Sequence, residues 1–211
     1  MKKTIKIIAL LLLINTVQAQ ESALSEGKNS VNLYYGYSFA GSLFNAYNTS
    51  TSLNYKVSQL GPIGLVYEHM VTDKVGLGAE FGYQKTSVTW DYNDTYFNSS
   101  SQLVPYTESY NFKYTLLRAQ FRFNYHFTES EKFDAYFLTS AGYRGAQYSL
   151  TYTSSDPNYA GSATYTTPKS PFIIGVKPGI GLRYFFTDNL GINLEIAAGT
   201  PLMCGGVSFK F

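Results

Sequence analysis

Charged side chains recur at alternate positions of otherwise apolar segments, and this spacing can bring cations and carboxylates together on one surface. In the segment 117–127, Arg118 and Arg122 alternate with leucine, alanine and aromatic residues. A charge withdrawn from water must be paired and hydrogen-bonded, so the pattern predicts a buried ion-pair network. The predicted members, six basic and four acidic, are Glu68, Glu80, Arg118, Arg122, Asp134, Arg144, Lys177, Arg183, Glu195 and Lys210.

Groups suited to catalysis are sparse. The two histidines, His69 and His126, each precede a short turn, and we expect them to hydrogen-bond to those turns. Glu68 adjoins His69, but neighbouring residues on a strand point to opposite faces. The sequence contains no Gly-x-Ser-x-Gly pattern, no His-Glu-x-x-His, no phosphate-binding loop and no metal-spaced cluster. We therefore predict that the protein is not an enzyme and uses no cofactor or metal.

The elements that position the charged residues are strands, because apolar and polar residues alternate with a period of two. Pro62 and Pro178 lie inside two of them, and each is expected to cause a bulge or a shortened strand, since proline removes a ladder donor. The eight predicted strands are Ser30–Phe39, Gln59–Val71, Val75–Trp90, Tyr110–Phe127, Phe133–Leu150, Pro171–Phe186, Leu190–Gly199 and Met203–Phe211.

The connections between these strands alternate between short and long. The short turns are 72–74, 128–132 and 187–189, and the long connections are 40–58, 91–109 and 151–170. Short turns on one rim and long loops on the other are typical of transmembrane barrels. With an even number of strands, both chain ends fall on the short-turn side. We predict an all-β fold, an eight-stranded antiparallel up-and-down transmembrane β-barrel, over residues 30–211.

The apolar face of the strands is broad and unbroken, and it would form a large aggregation-prone hydrophobic patch if it faced water. Lipid outside and charge inside is the favoured arrangement; a soluble lipocalin-like carrier is the alternative. An eight-stranded barrel has an interior that side chains just fill, so we expect the charges to act as packing. The excess of basic residues leaves a second interpretation open, a narrow passage that prefers anions.

The first 19 residues form a separate export element. A basic start, an apolar stretch and the small residue Ala19 predict a signal peptide cut before Gln20, followed by a short segment, 20–29. Three of the 16 basic residues and none of the 14 acidic ones lie before the cut, which leaves 13 basic and 14 acidic residues. A nearly neutral chain argues against a nucleic-acid partner.

Two stretches carry a family resemblance. Gly179–Gly191, followed by Glu195, has strand and turn features that resemble the small outer-membrane β-barrel family, which includes OmpA-, OmpX- and OmpW-like barrels. The last strand places Val207, Phe209 and Phe211 on one face, and its terminal aromatic residue resembles the signal read by the barrel-insertion machinery. The resemblance implies a monomer in the outer membrane, in contact with its lipids. It does not imply a specific activity.

The long connections are the segments best suited to binding. Segments 40–58, 91–109 and 151–170 are rich in tyrosine, serine, asparagine and glycine, the mixture found in recognition loops. We therefore expect a structural or surface-binding role, with a possible surface ligand at these three segments. A narrow pore or a route for a small ligand is the alternative.

Overall fold

The computed structural model describes residues 22–37, 52–157, 161–166 and 173–211. Within these ranges every regular element is a β-strand, and no helix is long and apolar enough to cross a membrane. The nine strands in chain order are β1 Asn29–Tyr37, β2 Leu53–Met70, β3 Val75–Phe97, β4 Leu103–His126, β5 Phe133–Ser154, β6 Gly161–Thr166, β7 Ile174–Phe185, β8 Leu190–Ala197 and β9 Met203–Lys210.

Eight of these strands close into a ring of antiparallel pairs. Each strand of the ring pairs with the next one along the chain, β5 pairs with β7, and β1 closes the ring by pairing with β9. The short strand β6 pairs with the far end of β5 and lies outside the ring. The predicted eight-stranded antiparallel barrel is therefore confirmed, and β6 is a strand that the sequence pattern did not predict.

The wall of the barrel is much taller on one side. Strands β3, β4 and β5 contain 23, 24 and 22 residues, whereas β8 and β9 contain 8 each. The predicted strand ends at Trp90, Tyr110 and Leu150 are wrong, because pairing continues as far as Phe97 on β3. The predicted loop 91–109 is mostly a hairpin, since its threonine and tyrosine residues favour strands.

The other long connections are described only in part. Strand β2 begins at Leu53 rather than Gln59, so the end of the predicted loop 40–58 is also strand. The predicted signal peptide and its cleavage site at Ala19 and Gln20 lie outside the described residues. The remaining undescribed residues are 20–21, 38–51, 158–160 and 167–172.

The two prolines inside strands have different effects. At Pro62 the pairing of β2 with β3 shifts register between Leu60 and Ile63, which confirms the expected bulge. At Pro178 the pairing of β5 with β7 continues without a shift, so no bulge forms there. The β7–β8 ladder starts one residue further on, at Gly179, and a proline beside the end of a ladder interrupts no hydrogen bond within it.

The outward face of the barrel is apolar. Phe121 on β4 is 83% exposed, and Val207, Phe209 and Phe211 near the chain end are 49%, 46% and 55% exposed. Polar and charged side chains at the alternate positions are buried inside the ring. Apolar residues outside and polar residues inside are the arrangement of a barrel in lipid, and they exclude the soluble-carrier alternative, which requires the opposite.

Candidate functional site

Glu80 on β3 lies at the centre of a buried charge network. Its side chain is completely buried. One oxygen, Oε1, accepts hydrogen bonds from Lys177 Nζ at 2.7 Å and from Arg118 Nη1 at 3.4 Å. The other, Oε2, accepts from Arg122 Nη1 at 3.2 Å and from the Ser140 hydroxyl at 3.1 Å. One carboxylate thus binds three cations from two strands, β4 and β7, and a hydroxyl from β5.

Arg122 links Glu80 to a second carboxylate. Its Nη1 donates to Glu195 Oε2 at 3.1 Å, and its Nη2 donates to Glu195 Oε1. The Tyr136 hydroxyl also donates to Glu195 Oε1, at 2.7 Å. The guanidinium of Arg183 lies over the Tyr136 ring, 4.3 Å from its centre, a favourable cation–π contact. Tyr136 therefore connects this layer of the network with the next.

The layer nearer the short-turn end is built from Glu68, Asp134, Arg183 and His126. Arg183 donates to Glu68 Oε2 at 2.6 Å and to Asp134 Oδ2 at 3.2 Å. The His126 ring lies between the same two carboxylates, with Nδ1 2.7 Å from Asp134 Oδ1 and Nε2 2.9 Å from Glu68 Oε1. Arg183 and His126 thus share one pair of carboxylates.

The expectation that both histidines bond to turns is wrong. His126 is buried inside the barrel between two carboxylates, and His69 is exposed, with Nδ1 3.0 Å from Asn29 Oδ1. Parity along β4 carries the missed signal, because position 126 lies on the same face as Arg118 and Arg122. A histidine at the end of that series belongs with the inward residues.

The two remaining predicted members lie apart from the network. Arg144 is half-buried on β5 and forms no ion pair with another described residue. Lys210 is half-buried at the short-turn end, where its Nζ donates to the Ala23 carbonyl at 2.8 Å and lies 4.5 Å from the centre of the Phe185 ring. Without these two, four cations face four carboxylates, and His126 adds a further donor.

Two tyrosines occupy the space beside inward glycines. The Tyr34 hydroxyl donates to Glu80 Oε1 at 3.0 Å and accepts from Arg118 Nη2 at 2.9 Å. Its ring lies against Gly64, where a Cβ would clash with it, and the Tyr136 ring lies against Gly181 in the same way. The glycines therefore make room for large side chains, and the interior is packed at these points.

The segment before β1 closes the short-turn end. Leu24 is 1% exposed and Ala23 is also buried. The Ala23 amide donates to the Ser130 carbonyl at 2.6 Å, and the Glu26 amide donates to Asp73 Oδ1 at 3.0 Å. These bonds attach the segment to the turns that follow β4 and β2. Residues 22–28 thus cover the mouth of the barrel from one turn to the other.

Beyond Tyr83, Leu117 and Tyr143, the tall wall continues as what we call the extended sheet: the outer ends of β2 to β5, together with β6. Its outward face is mostly polar, although Leu53 and Leu60 of β2 also face outward. Hydroxyl, amide and lysine side chains replace the leucine and aromatic residues of the barrel wall. These outward residues include Lys56, Ser58, Lys85, Ser87, Thr89, Asn111, Lys113, Thr115, Gln147 and Ser149.

The inward face of the extended sheet is aromatic. Trp90, Tyr110 and Tyr152 form one row across β3, β4 and β5, with 5.2 Å between the ring centres of each neighbouring pair. The other apolar residues of this face include Val57, Val88, Phe112, Tyr114, Leu116, Ala146, Tyr148 and Leu150.

A single carboxylate anchors this aromatic row. Glu108 accepts hydrogen bonds from the hydroxyls of Tyr110 and Tyr152, both at 2.8 Å. Partial burial and the bond to Glu108 raise the pKa of Tyr110 to about 12. The row is therefore held in place at its polar end, with its rings on the face that looks across the barrel mouth.

The chain is similar to several proteins of known structure and matches one protein family. Three solved structures are similar: the N-terminal β-barrel domain of Pseudomonas aeruginosa OprF (16% identity, 89% of this chain and 100% of that one, TM-score 0.42), Yersinia pestis Ail (14%, 88% and 99%, 0.42) and Pseudomonas aeruginosa OprG (11%, 92% and 99%, 0.44). No curated protein matches the sequence significantly. The model of the outer membrane protein beta-barrel domain family matches residues 7–202. With a closed ring of eight antiparallel strands and that match, this chain belongs to the family of outer membrane protein beta-barrel domains and is an outer-membrane barrel.

Proposed function

We propose that the protein is a non-enzymatic, non-conducting barrel that anchors the extended sheet at the cell surface as a binding surface. The observation that carries this proposal is the contrast between a bore filled by ion pairs and a tall wall with an ordered aromatic face. Both chain ends and the short turns lie on the periplasmic side of such barrels. The extended sheet is then the part that projects outside the cell.

The filled interior supports the non-conducting part of the proposal. The charge network crosses the bore, since Lys177 on β7 and Arg118 on β4 both reach Glu80 on β3. At the periplasmic mouth, Leu24 is buried in the segment that closes it. An ion would have to separate paired buried charges to pass, and this is costly in a medium of low dielectric constant.

Recording in planar lipid bilayers tests this part. The mature protein is expected to insert and give no discrete current steps, and protease protection of the inserted barrel serves as the control for insertion. A matched variant that lacks residues 22–28 shows whether the periplasmic segment or the charge network blocks the bore. Stable current steps from the intact protein would contradict the proposal.

The aromatic row supports the binding part. Trp90, Tyr110 and Tyr152 combine large, rigid ring surfaces with hydroxyl groups, the properties that recognition surfaces use. Glu108 and its two hydrogen bonds hold the rings in position. Rings of this kind stack on the apolar faces of sugars, so a surface glycan is the ligand class that we expect. Of the predicted binding segments 40–58, 91–109 and 151–170, the described parts 52–58, 91–109, 151–157 and 161–166 form or adjoin this sheet.

Cell adhesion tests the binding part. Cells that display the protein are expected to be retained on a mucin-coated surface, and the triple variant W90S/Y110S/Y152S is expected to lose most of that retention. The triple variant S87A/T89A/N111A changes the opposite face of the same strands and should bind like the wild type. Equal retention by both variants at equal surface levels would contradict an aromatic binding face.

A narrow pore remains the second candidate, and one observation favours it. Several buried polar atoms, among them the Asn32 amide and the Thr86 hydroxyl, have no hydrogen-bond partner among the described residues. Such atoms are suited to bind a thread of water. If the bilayer recording shows current, the Arg122→Glu variant should shift ion preference away from anions. An unchanged preference would exclude conduction through the network.

We also propose that the last strand is the assembly signal and that the protein is a monomer. Val207 and Phe209 on β9 and Phe211 directly after it are exposed, and the rings of Phe209 and Phe211 lie 5.8 Å apart. The insertion machinery is expected to read this face. Truncating Phe211 to alanine should lower the amount of heat-modifiable barrel in the outer-membrane fraction, whereas Lys210→Gln, on the other face, should not.

A further inference from the structure

Arg144 on β5 is an inward cation that lies beside the charge network without joining it. Its side chain is half-buried and forms no ion pair or hydrogen bond with a described residue. It lies directly opposite Arg118 on β4, a position in which like charges repel each other. Its stem packs against Gly175, where an added Cβ would lie 3.0 Å from both Cβ and Cδ of Arg144. The stem is therefore held in place, and the guanidinium is left to bind a further group.

The adjacent layer of the network already holds more cations than carboxylates. Glu80 and Glu195 together bind three cations, Arg118, Arg122 and Lys177. With three cations on two carboxylates, this layer carries a surplus of one positive charge, and Arg144 adds a second. A charge that is partly withdrawn from water is most stable beside a counter-charge. The outer end of the bore is therefore suited to an anion.

Arg144 lies at the level where the short strands of the ring end. Strand β8 ends at Ala197 and β9 begins at Met203, whereas β5 continues well beyond Arg144. In the loop between β8 and β9, the Thr200 carbonyl accepts a hydrogen bond from Arg118, the residue opposite Arg144. Arg144 is therefore at the floor of the outer mouth, with the inward face of the extended sheet rising above it.

The face above Arg144 is aromatic. Tyr148 lies four residues further along the same face of β5, about 14 Å away at ~3.4 Å per residue. Its ring is 38% exposed, and its centre lies 5.1 Å from that of the Tyr114 ring. Burial raises the pKa of the Tyr114 hydroxyl, and the positive charge of Arg144 opposes this rise. The long arginine side chain and the exposed ring thus flank a site for a carboxylate on a short apolar body.

We propose that Arg144 binds the carboxylate of a small aromatic acid, whose ring packs on Tyr148 in the outer mouth. The planar guanidinium donates two parallel hydrogen bonds to the carboxylate, and the ligand ring takes an offset position on the Tyr148 ring. The ligand offsets the surplus positive charge beside Arg118. This site lies below the aromatic row and does not depend on glycan binding by that row.

Fluorine NMR titration of the mature protein in lipid nanodiscs tests the proposal, with para-fluorophenylacetate as the probe and its neutral amide as the control ligand. The wild type is expected to bind the acid, and R144Q should bind it about tenfold more weakly. R144K keeps the charge but loses the planar fork, so its affinity should lie between the two. The matched variant K113Q removes one positive charge from the outward face of β4 and should bind like the wild type.

Several results would overturn this proposal. Equal binding of the acid and the amide, or equal affinities of the wild type and R144Q, would show that Arg144 does not hold a carboxylate. Equal loss from K113Q would show an effect of net charge alone, and displacement by equimolar acetate would show a site for any small anion. A heat-modifiable band from each variant confirms folding. Retention of cells on mucin should be unchanged in R144Q, so a failure of this site and a failure of the aromatic row are seen separately.

Discussion

The spanning barrel and the extended sheet use the same strands with opposite polarity. In the barrel, Phe121 and Leu117 face outward, and Arg122 and Arg118 face inward. A few residues further along the same strand, Lys113 is outward and Phe112 is inward. The period of two continues without a break across this change. What changes is the polarity of each face: the outward face becomes polar and the inward face becomes apolar.

The difference shows that the solvent of each region determines which face is apolar. In lipid, an outward charge is expensive, and the polar groups must pair inside the closed ring. In water, the sheet places hydroxyl groups and lysines outward and packs its rings on the inner face, as an ordinary half-buried sheet does. The level at which Tyr83 pairs with Leu117 therefore marks the outer surface of the membrane.

The largest effect is expected from removing the central carboxylate of the barrel. Glu80→Gln leaves Arg118, Arg122 and Lys177 buried with one fewer counter-charge, and we expect the free energy of unfolding to fall by about 3–5 kcal/mol. The matched change in the extended sheet, Glu108→Gln, should cost less than about 1 kcal/mol, since Glu108 is half-exposed and binds neutral hydroxyls. Urea unfolding in lipid vesicles measures both. Similar costs would show that the two regions do not differ as described.

An intermediate effect is expected from placing a cation on the outward face at two heights of β4. Phe121→Arg puts a charge near the middle of the apolar band and should destabilise the barrel by about 2–4 kcal/mol. Asn111→Arg lies on the same face of the same strand, in the extended sheet, and should change stability by no more than about 0.5 kcal/mol. The same unfolding experiment measures both variants. A large cost at Asn111 would place it in lipid.

The smallest effect is expected from raising the pH at the aromatic row. Because the pKa of Tyr110 is raised to about 12, the folded row keeps the phenol neutral where a free tyrosine ionises. Its stabilising bond to Glu108 is complete below about pH 10 and is lost as the pH rises through about 12. Trp90, the one tryptophan of the chain, contacts Tyr110 and reports the change by fluorescence. The fluorescence transition near pH 12 should be absent from the Tyr110→Phe variant. If that variant still shows the transition, another group and not Tyr110 causes it.

The spanning part of the fold was predictable, because lipid requires an apolar residue at every second position over long segments. Alternation predicted the strand that contains Arg118 and Arg122 and the face on which they lie, and the bulge at Pro62 followed from its missing donor. The heights of the strands were not predictable in the same way. Beyond Leu117 the outward residues become threonine, serine and asparagine, a composition shared by loops and by water-exposed strands.

The internal contacts were less predictable than the strands. Parity along a strand gives the face of a residue but not its height in the barrel, so it did not show that Arg144 and Lys210 lie apart from the network. For His126, parity along β4 did predict the inward face. The expectation of a hydrogen bond to the adjacent turn was given more weight and was wrong. The segment with Ala23 and Leu24, which covers the barrel mouth, could not be predicted from the sequence. A short segment of this kind has neither the period of a strand nor that of a helix.

The most direct test of the account is a spin-label scan along the outward face of β4, in the Cys204→Ala background and in lipid bilayers. Single cysteines at Phe123, Phe121, Leu117, Lys113 and Ser109 carry the label, and its accessibility to oxygen and to a water-soluble nickel complex is measured at each. We predict oxygen-dominated accessibility through Leu117 and nickel-dominated accessibility from Lys113 onward. Lipid-like accessibility at Lys113 and Ser109 would contradict the assignment of the extended sheet to water.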